Sequence, residues 1–542
     1  MAYLSRNRAY QTLFGPGWQG HGVALLAGAS LPLALAPFDL WPLAILATTL
    51  LALGLSDLNG RQCLARSYFF GLGMFLTGVS WVYVSIHGFG QASVLLAGFL
   101  TLVFAAGLAL VFCLPFGLLG RYFQGSPLAI PLAFPALWLL GEWLRSWLLT
   151  GFPWLYVGYS QLQTPLSGYA PVLGILGVGL MLVMTAASIA RAIQWGLQSN
   201  LASELPAKRP RYTLTILTLC SLLWLGGATL AYTDWTQIKG DAISVGMIQP
   251  NIPQKKKWDP DFYQPTVERL ARLSEPLWHN DWLIWPEAAI PILYHRAGDL
   301  LDHFEQRAAA TNTGLITGIL YDDYNRKKYF NTMIGLGRAQ GIYQKTRLVP
   351  FGEYVPLENT LRGLIHFFNL PTSIISPGRG MQRGIQVGAI MVMPSICYEI
   401  AYPALVAKGA AKADVLLTVS NDAWFGDSIA PQQHLQIAQM RALETGRYII
   451  RATNNGLSAI INHRGEITLL GTQFVQQSLE GEVYATRGLT PYVRYGDQLA
   501  LLLSLLLLIS SWLSKKYSRD NCTAPANKDP VSPPLPTDVK TP

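Results

Sequence analysis

GAIMVMPSICYEI, residues 388–400, is an apolar run that ends in a cysteine followed at once by tyrosine and glutamate. A continuous apolar run bounded by glycine reads as a strand covered on both faces. Cys397 then falls at the strand's end, where it is either a small hydrophobe, as most buried cysteines are, or a nucleophile. Its neighbours along the chain decide the fold class. AISVGMIQPNI (242–252), DWLIWPEAAIP (281–291), TGLITGILY (313–321), NTMIGLG (331–337), ADVLLTVSND (413–422) and YIIRATNNGLSAIIN (448–462) also read as strands. FYQPTVERLARLSEPL (262–277) and PQQHLQIAQMRALETG (431–446) carry helical periodicity. Residues 240–490 are therefore expected to form an α/β domain of ample size for its own core.

The flanking sequence has another character. The chain of 542 residues is 51% hydrophobic and 13% charged, against about 25% charged in soluble domains. The deficit is concentrated in residues 21–235, which read as a polytopic helical membrane bundle, and in a closing anchor at 497–514. Spans are expected near 22–37, 41–55, 67–86, 92–117, 127–148, 168–190, 213–232 and 497–513, eight in all. The first two are short for a bilayer, which takes about 20 apolar residues. The first apolar run leads straight into further spans, with no cleavable signal pattern expected.

Basic residues set the expected orientation. Arg6 and Arg8, Arg61 and Arg66, Arg121, Lys208, Arg209 and Arg211, and Lys515, Lys516 and Arg519 flank alternate spans. Loops such as HGFGQ (87–91) carry none. Both termini, including the segment 1–20, are expected in the cytoplasm, with the α/β domain on the far side. The proline-rich tail 515–542 reads as disordered. The net charge of +9 suits anionic lipid, and positive-inside bias explains much of it.

Three ionisable residues each follow an apolar run: Glu287, Lys345 (with Glu353 close behind) and Cys397 (with Glu399). Ligands of α/β sheets bind beyond the carboxyl ends of strands. Taken singly, Glu287 reads equally as a solvated acid, Lys345 as half of a surface ion pair and Cys397 as filler. Together they suffice for acyl transfer. A carboxylate takes the thiol proton, and an ammonium stabilises both thiolate and oxyanion. Cys113 and Cys220 lie in spans, and Cys63 and Cys522 in cytoplasmic segments, so Cys397 is the one cysteine expected in the α/β domain. His434, without a metal-ligand partner in sequence, reads as structural. Glu142 and Arg145 are spaced to pair on one helix face.

WPEAAIP, YQKTRLVPFGEYVP, ICYEI, SNDAWFG and RALETGRYIIRATNNG, in this order, resemble the nitrilase superfamily. The bundle ahead of them narrows the resemblance to the apolipoprotein N-acyltransferase family, over residues 1–515. The resemblance implies an αββα sandwich with Glu287 as general base, Lys345 as oxyanion and thiolate stabiliser and Cys397 as nucleophile. It adds Glu353 as a second essential acid, Trp258 on a substrate-side loop, and Tyr398 and Glu399 as sensitive flanking residues. No cofactor or metal is implied.

The implied reaction moves an acyl chain from a phospholipid, phosphatidylethanolamine by resemblance, to the α-amino group of a diacylglyceryl-cysteine apolipoprotein. It passes through a Cys397 thioester and is the last step of lipoprotein maturation, in a monomer of the bacterial inner membrane with its catalytic domain periplasmic. Ala430 and Tyr448 stand where the family pattern has glycine and proline. GFPWLYVGYS (151–160) and SIHGFG (85–90) are either an aromatic interface belt or acyl-chain surface, and KKKWDP (255–260) either a solvated loop or a lid. Two other functions remain open at this point. A membrane-tethered hydrolase of soluble amides would release ammonia, and a transporter or receptor would show an ionisable pathway in its spans.

Overall fold

A computed structural model describes residues 8–201, 209–323, 325, 328–350, 352–354, 375–380 and 382–523. The proline-rich stretch beyond residue 523, Arg6 and Lys208 lie outside the described residues.

The α/β region contains strands β1 (Gln237–Gln249), β2 (Trp282–Ile284), β3 (Ile290–Leu293), β4 (Gly314–Asp323), β5 (Lys328–Gly337), β6 (Ala339–Gln340) and β7 (Ile342–Gln344). It continues through β8 (Ile385–Val387), β9 (Ile390–Ile396), β10 (Val415–Ser420), β11 (Ile449–Thr453), β12 (Ala459–Ile461), β13 (Ile467–Leu470) and β14 (Gln477–Arg487). They form two sheets. One has the order β14-β1-β2-β4-β5-β7, with β3 beside β4; the other has the order β13-β12-β11-β10-β9-β8-β6. Each has a parallel centre: β1, β2 and β4 in the first, β9, β10 and β11 in the second.

The apolar strands account for this layering. Successive side chains point to opposite faces. In β2 and the residue after it, Trp282 and Ile284 join the core between the sheets, while Leu283 and Trp285 join a second core. That second core lies under the helices Tyr263–Ser274 and Gly298–Ala310, which contribute Leu270, Leu273, Leu301 and Phe304. The second sheet is covered by Pro403–Ala410 and Ala430–Thr445. All six residues of β10 are buried. The result is an αββα sandwich, the nitrilase-like fold that the resemblance implied.

Three helices among the described residues are long and apolar enough to cross a membrane: Val94–Phe123, Pro165–Leu197 and Gln498–Arg519. Gly60–Gly78 and Trp81–Phe89 make a fourth if their 49° bend lies within one span. The other expected spans fall on shorter helices: Trp18–Ser30, Pro42–Leu55, Phe134–Arg145 and Leu217–Ala231. Arg66, counted above among loop cations, is instead buried in a helix and donates to the carbonyls of Gly15 and Gly54.

The helix Ala430–Thr445 joins the two regions. It packs on β11 and β12 on one side and on the helix Ala170–Leu201 on the other, and most of its polar residues are therefore buried. Gln436 accepts from Ala36 N–H at 3.2 Å and donates to Asp39 at 3.0 Å, gripping the APFDLWP turn. Glu444 accepts from the amide of Ile175 at 2.6 Å and pairs with Arg441 at 2.8 Å. Its charged residues serve an interface rather than solvent.

Candidate active site

The carboxyl ends of parallel strands from both sheets converge at one place. The chain leaves β2 through Trp285 and Pro286, and Glu287 follows, 7% exposed. Its Oε2 accepts from the Asn421 amide just past β10, at 2.8 Å. Its Oε1 accepts from Asn331 Nδ2 of β5 at 2.7 Å. Lys345, directly after β7, is 1% exposed and points its Nζ at Glu353 (2.9 Å) and at Glu287 Oε1 (3.5 Å). Glu353 is fixed in turn by the Val349 amide at 2.8 Å and by Asn331 at 3.2 Å. Burial lowers the proton affinity of Lys345, but the two carboxylates outweigh it and hold the ammonium well above the ordinary lysine range.

Cys397 terminates β9 and opens a 3-10 turn, Cys397–Ala401, with a positive φ of 54°. A non-glycine residue in that region is uncommon, and such strain concentrates at functional sites. Cys397 is half-buried, while Ile396 and Tyr398 on either side are buried. Burial and the charge of Glu287 raise it well above the ordinary cysteine range, with Lys345 pulling it down. The resting group is therefore a thiol within the electrostatic reach of Glu287.

The turn is held from three sides. Glu399, fully buried, accepts from Thr346 N and Oγ1, Arg347 N, Ile396 N and Tyr343 Oη, all within 3.1 Å. It ties the Cys397 turn to the segment that carries Lys345. Tyr398 and Tyr402 donate to the Gly151 carbonyl of the helical region. His434 Nε2 lies 3.2 Å from the Cys397 carbonyl, and its Nδ1 faces Asp422 and Arg451. Burial and the Arg451 charge lower His434 below the ordinary histidine range. The ring bridges the Cys397 carbonyl and the Asp422–Arg451 pair, so His434 supports the turn.

Glu287, Lys345 and Glu353 are thus brought together with Cys397 within their electrostatic reach. Trp258 stands apart on a rim loop, 46% exposed. Tyr398 and Glu399, next in the chain to Cys397, are buried. The expected Glu142–Arg145 pair is not among the ion pairs of the described residues. Glu142 accepts from the Val157 amide at 2.8 Å, and Arg145 donates to the carbonyls of Phe152 and Trp154. Both fasten the 151–160 segment, where Trp154, Tyr156 and Tyr159 are at most 2% exposed. That segment is a packed floor: Trp154 donates to Gln433 at 2.8 Å and lies against Tyr398 and His434. The 85–90 segment sits at the rim instead, with Ser85 donating to the carbonyl of Trp424, itself 42% exposed.

Sequence reasoning missed two partners of Glu287. Asn331 was legible only as a strand residue. Lys257, read with its neighbours as part of a solvated loop or a lid, is 3% exposed and donates to the Glu287 carbonyl at 3.0 Å. Among the described residues no group of three or more His, Cys, Asp or Glu side chains is arranged to hold a metal.

This sandwich, with its acid, lysine and cysteine at the strand ends, is of the carbon–nitrogen hydrolase class: the family profile described as "Carbon-nitrogen hydrolase" matches residues 244–486. The profile "Apolipoprotein N-acyltransferase N-terminal domain" matches residues 27–188. The apolipoprotein N-acyltransferase of Pseudomonas aeruginosa PAO1 is 47% identical over 487 residues, covering 89% of this chain and 93% of its own length. That of Azotobacter vinelandii is 44% identical over 517 residues, covering 93% and 97%. The chain belongs to the apolipoprotein N-acyltransferase family. Among solved structures, Saccharomyces cerevisiae Nit3 of the nitrilase superfamily matches 49% of this chain and 96% of its own, at 17% identity and a TM-score of 0.35.

Proposed function

We propose that this protein transfers a fatty acyl chain from a phospholipid to the α-amino group of an N-terminal diacylglyceryl-cysteine, the last step of lipoprotein maturation. The observation that carries the reading is the junction of two features. Glu287, Lys345 and Cys397 meet at one set of strand ends, and the turn bearing Cys397 rests directly on the apolar helical region through Tyr398 and Gly151.

In the first step Glu287 takes the thiol proton and Cys397 attacks the ester carbonyl of the donor, phosphatidylethanolamine. The developing oxyanion is stabilised by Lys345 Nζ. Collapse of the tetrahedral intermediate breaks the ester C–O bond, and Glu287 returns the proton to the departing lysophospholipid. In the second step the acceptor amine attacks the thioester, Glu287 takes the amine proton, and the thiolate leaves and is reprotonated. The covalent intermediate makes the kinetics ping-pong. Glu353 holds Lys345 in place, Trp258 lies on the substrate side, and Tyr398 and Glu399 hold the nucleophile's turn.

The proposed setting is the bacterial inner membrane. Eight spans, seven of them within 21–235 and one at 497–514, leave both termini cytoplasmic and the catalytic domain, 240–490, periplasmic. The protein acts as a monomer without cofactor. Donor and acceptor both stay in the bilayer, which supports a site built against helices.

Intact-mass measurement after incubation with phosphatidylethanolamine tests the reading. Wild type should gain one acyl group, Cys397→Ala should gain none, and a diacylglyceryl-cysteine peptide should remove it. Folded, lipid-supplied wild type that stays unmodified while releasing ammonia from small amides would overturn the reading in favour of a hydrolase.

A further inference from the structure

We propose that Lys257 is a positioning residue for Cys397, its ammonium supplying the positive charge that the ion cluster around the nucleophile otherwise lacks. The inference rests on the reading of Cys397 as nucleophile and deepens it.

The argument begins with the charges that face the thiol. Glu287 and Glu353 are two carboxylates sharing one lysine, Lys345. Asp422, which also acts on Cys397, is matched by Arg451 at 2.7 Å. Without a further cation this set keeps one excess negative charge, which opposes both a thiolate and the oxyanion that follows it.

Lys257 has the geometry to remove that excess. It belongs to KKKWDP, but its side chain is 3% exposed, whereas Lys255 and Lys256 beside it are not buried. Its Nζ meets the backbone carbonyl of Glu287 at 3.0 Å, and no carboxylate pairs with it among the described residues. An ammonium carries three donors, so two remain beyond the one that meets the Glu287 carbonyl. A buried lysine bonded only to a backbone carbonyl is costly for stability alone. Burial lowers its pKa to about 8, while Glu287 and Cys397 act on it in the opposite sense. It therefore stays charged at neutral pH and is coupled to the two groups that exchange the proton. Trp258 follows it directly at the rim, so the same loop places a cation inside and an indole outside.

The test is the pH dependence of iodoacetamide alkylation at Cys397, read by peptide mass spectrometry on the full-length protein in phospholipid nanodiscs, together with acyl-enzyme formation. Lys257→Met should raise the alkylation midpoint by about one pH unit, equivalent to a tenfold loss of thiolate, with thermal unfolding near wild type. Acylation at neutral pH should slow about tenfold. Lys257→Arg, which keeps the charge, should alkylate like wild type below pH ~8 and stay reactive above it, because guanidinium does not titrate there. A folded Lys257→Met with the wild-type alkylation curve overturns the inference. Should Lys257→Met not fold, Lys257→Arg decides, and a curve displaced upward despite the retained charge overturns it. The alkylation curve does not depend on which acyl donor is used. Wild type that alkylates as described but never acquires an acyl group therefore counts against the parent reading and leaves Lys257 standing.

Discussion

Tyr398, the residue next to Cys397, donates its hydroxyl to the carbonyl of Gly151, 3.1 Å away in the helical region. Tyr402 reaches the same carbonyl at 3.1 Å and that of Thr150 as well. The catalytic turn is thereby pinned to the floor beneath it by side chains on either side of Glu399. Tyr398→Phe should cost about 1 kcal/mol, the net worth of one hydrogen bond, because Tyr402 still satisfies Gly151. The double change Tyr398→Phe with Tyr402→Phe leaves the buried carbonyl of Gly151 without either hydroxyl and should cost more than the sum of the singles. Thermal unfolding of the single and double variants in one detergent checks this; simple additivity would disprove the shared acceptor.

Glu353→Gln should slow acyl-enzyme formation and lower stability together. Lys345 would keep only the 3.5 Å contact to Glu287, and its ammonium would swing toward the general base. Removing one partner of a buried ion pair costs about 3–5 kcal/mol; Glu353 is part-exposed, so a loss near 2 kcal/mol, or about thirtyfold in rate, is expected. Rapid-quench intact mass measures it.

Gly318 sits in β4 where an added Cβ would lie 2.4 Å from the Ala288 amide nitrogen and 2.8 Å from the Pro286 carbonyl. Both contacts are to backbone, on either side of Glu287. Gly318→Ala should therefore displace Glu287 without touching Cys397. Acylation should fall by about a hundredfold, the scale of a misplaced reacting group, while Cys397 remains open to alkylation, since moving the Glu287 charge away does not disfavour its thiolate. Alkylation and acylation lost in parallel would instead indicate general unfolding.

Asp422 gives the fold an acid limit. Burial alone would raise this carboxyl, but Arg451, His434 and Ser420 outweigh it and hold it at about 2, below its ordinary 3.8. A depressed carboxyl contributes stability that is present above the ordinary value and lost as pH falls through the folded one. The contribution is about 2 kcal/mol. Unfolding temperature should drop between about pH 5 and pH 2, and Asp422→Asn should flatten that dependence while lowering stability throughout. An equally steep acid limit in Asp422→Asn would assign it to other groups.

The strand ends were legible because the chemistry there is local. Glu287, Lys345 and Cys397 each follow an apolar run, and β9 and β10 are apolar enough to read directly. What could not be read depends on contacts between distant residues. YIIRATNNGLSAIIN reads as one strand, yet it is the antiparallel pair β11 and β12. Between them Asn454 turns away to bond Ile252. β14 went unread because an edge strand with mixed exposure carries little alternation. GFPWLYVGYS has the composition of an interface belt, and only Glu142, Arg145 and Gln433 reveal it as a buried floor. Lys257 was hidden by two exposed lysines before it, since burial of one residue in three leaves no pattern in sequence.

The helix Ala430–Thr445 lies between the sandwich and the helical region, with polar side chains committed to both. An excised catalytic domain would present Gln433, Gln436 and Glu444 to water stripped of Trp154, Asp39 and the Ile175 amide. The same helix carries His434, which holds the carbonyl of Cys397. Lipid packing around the helices is thus mechanically continuous with the nucleophile. A surfactant that loosens those helices should silence the thiol while the sheets stay intact, making Cys397 reactivity a gauge of how native the surrounding bilayer is.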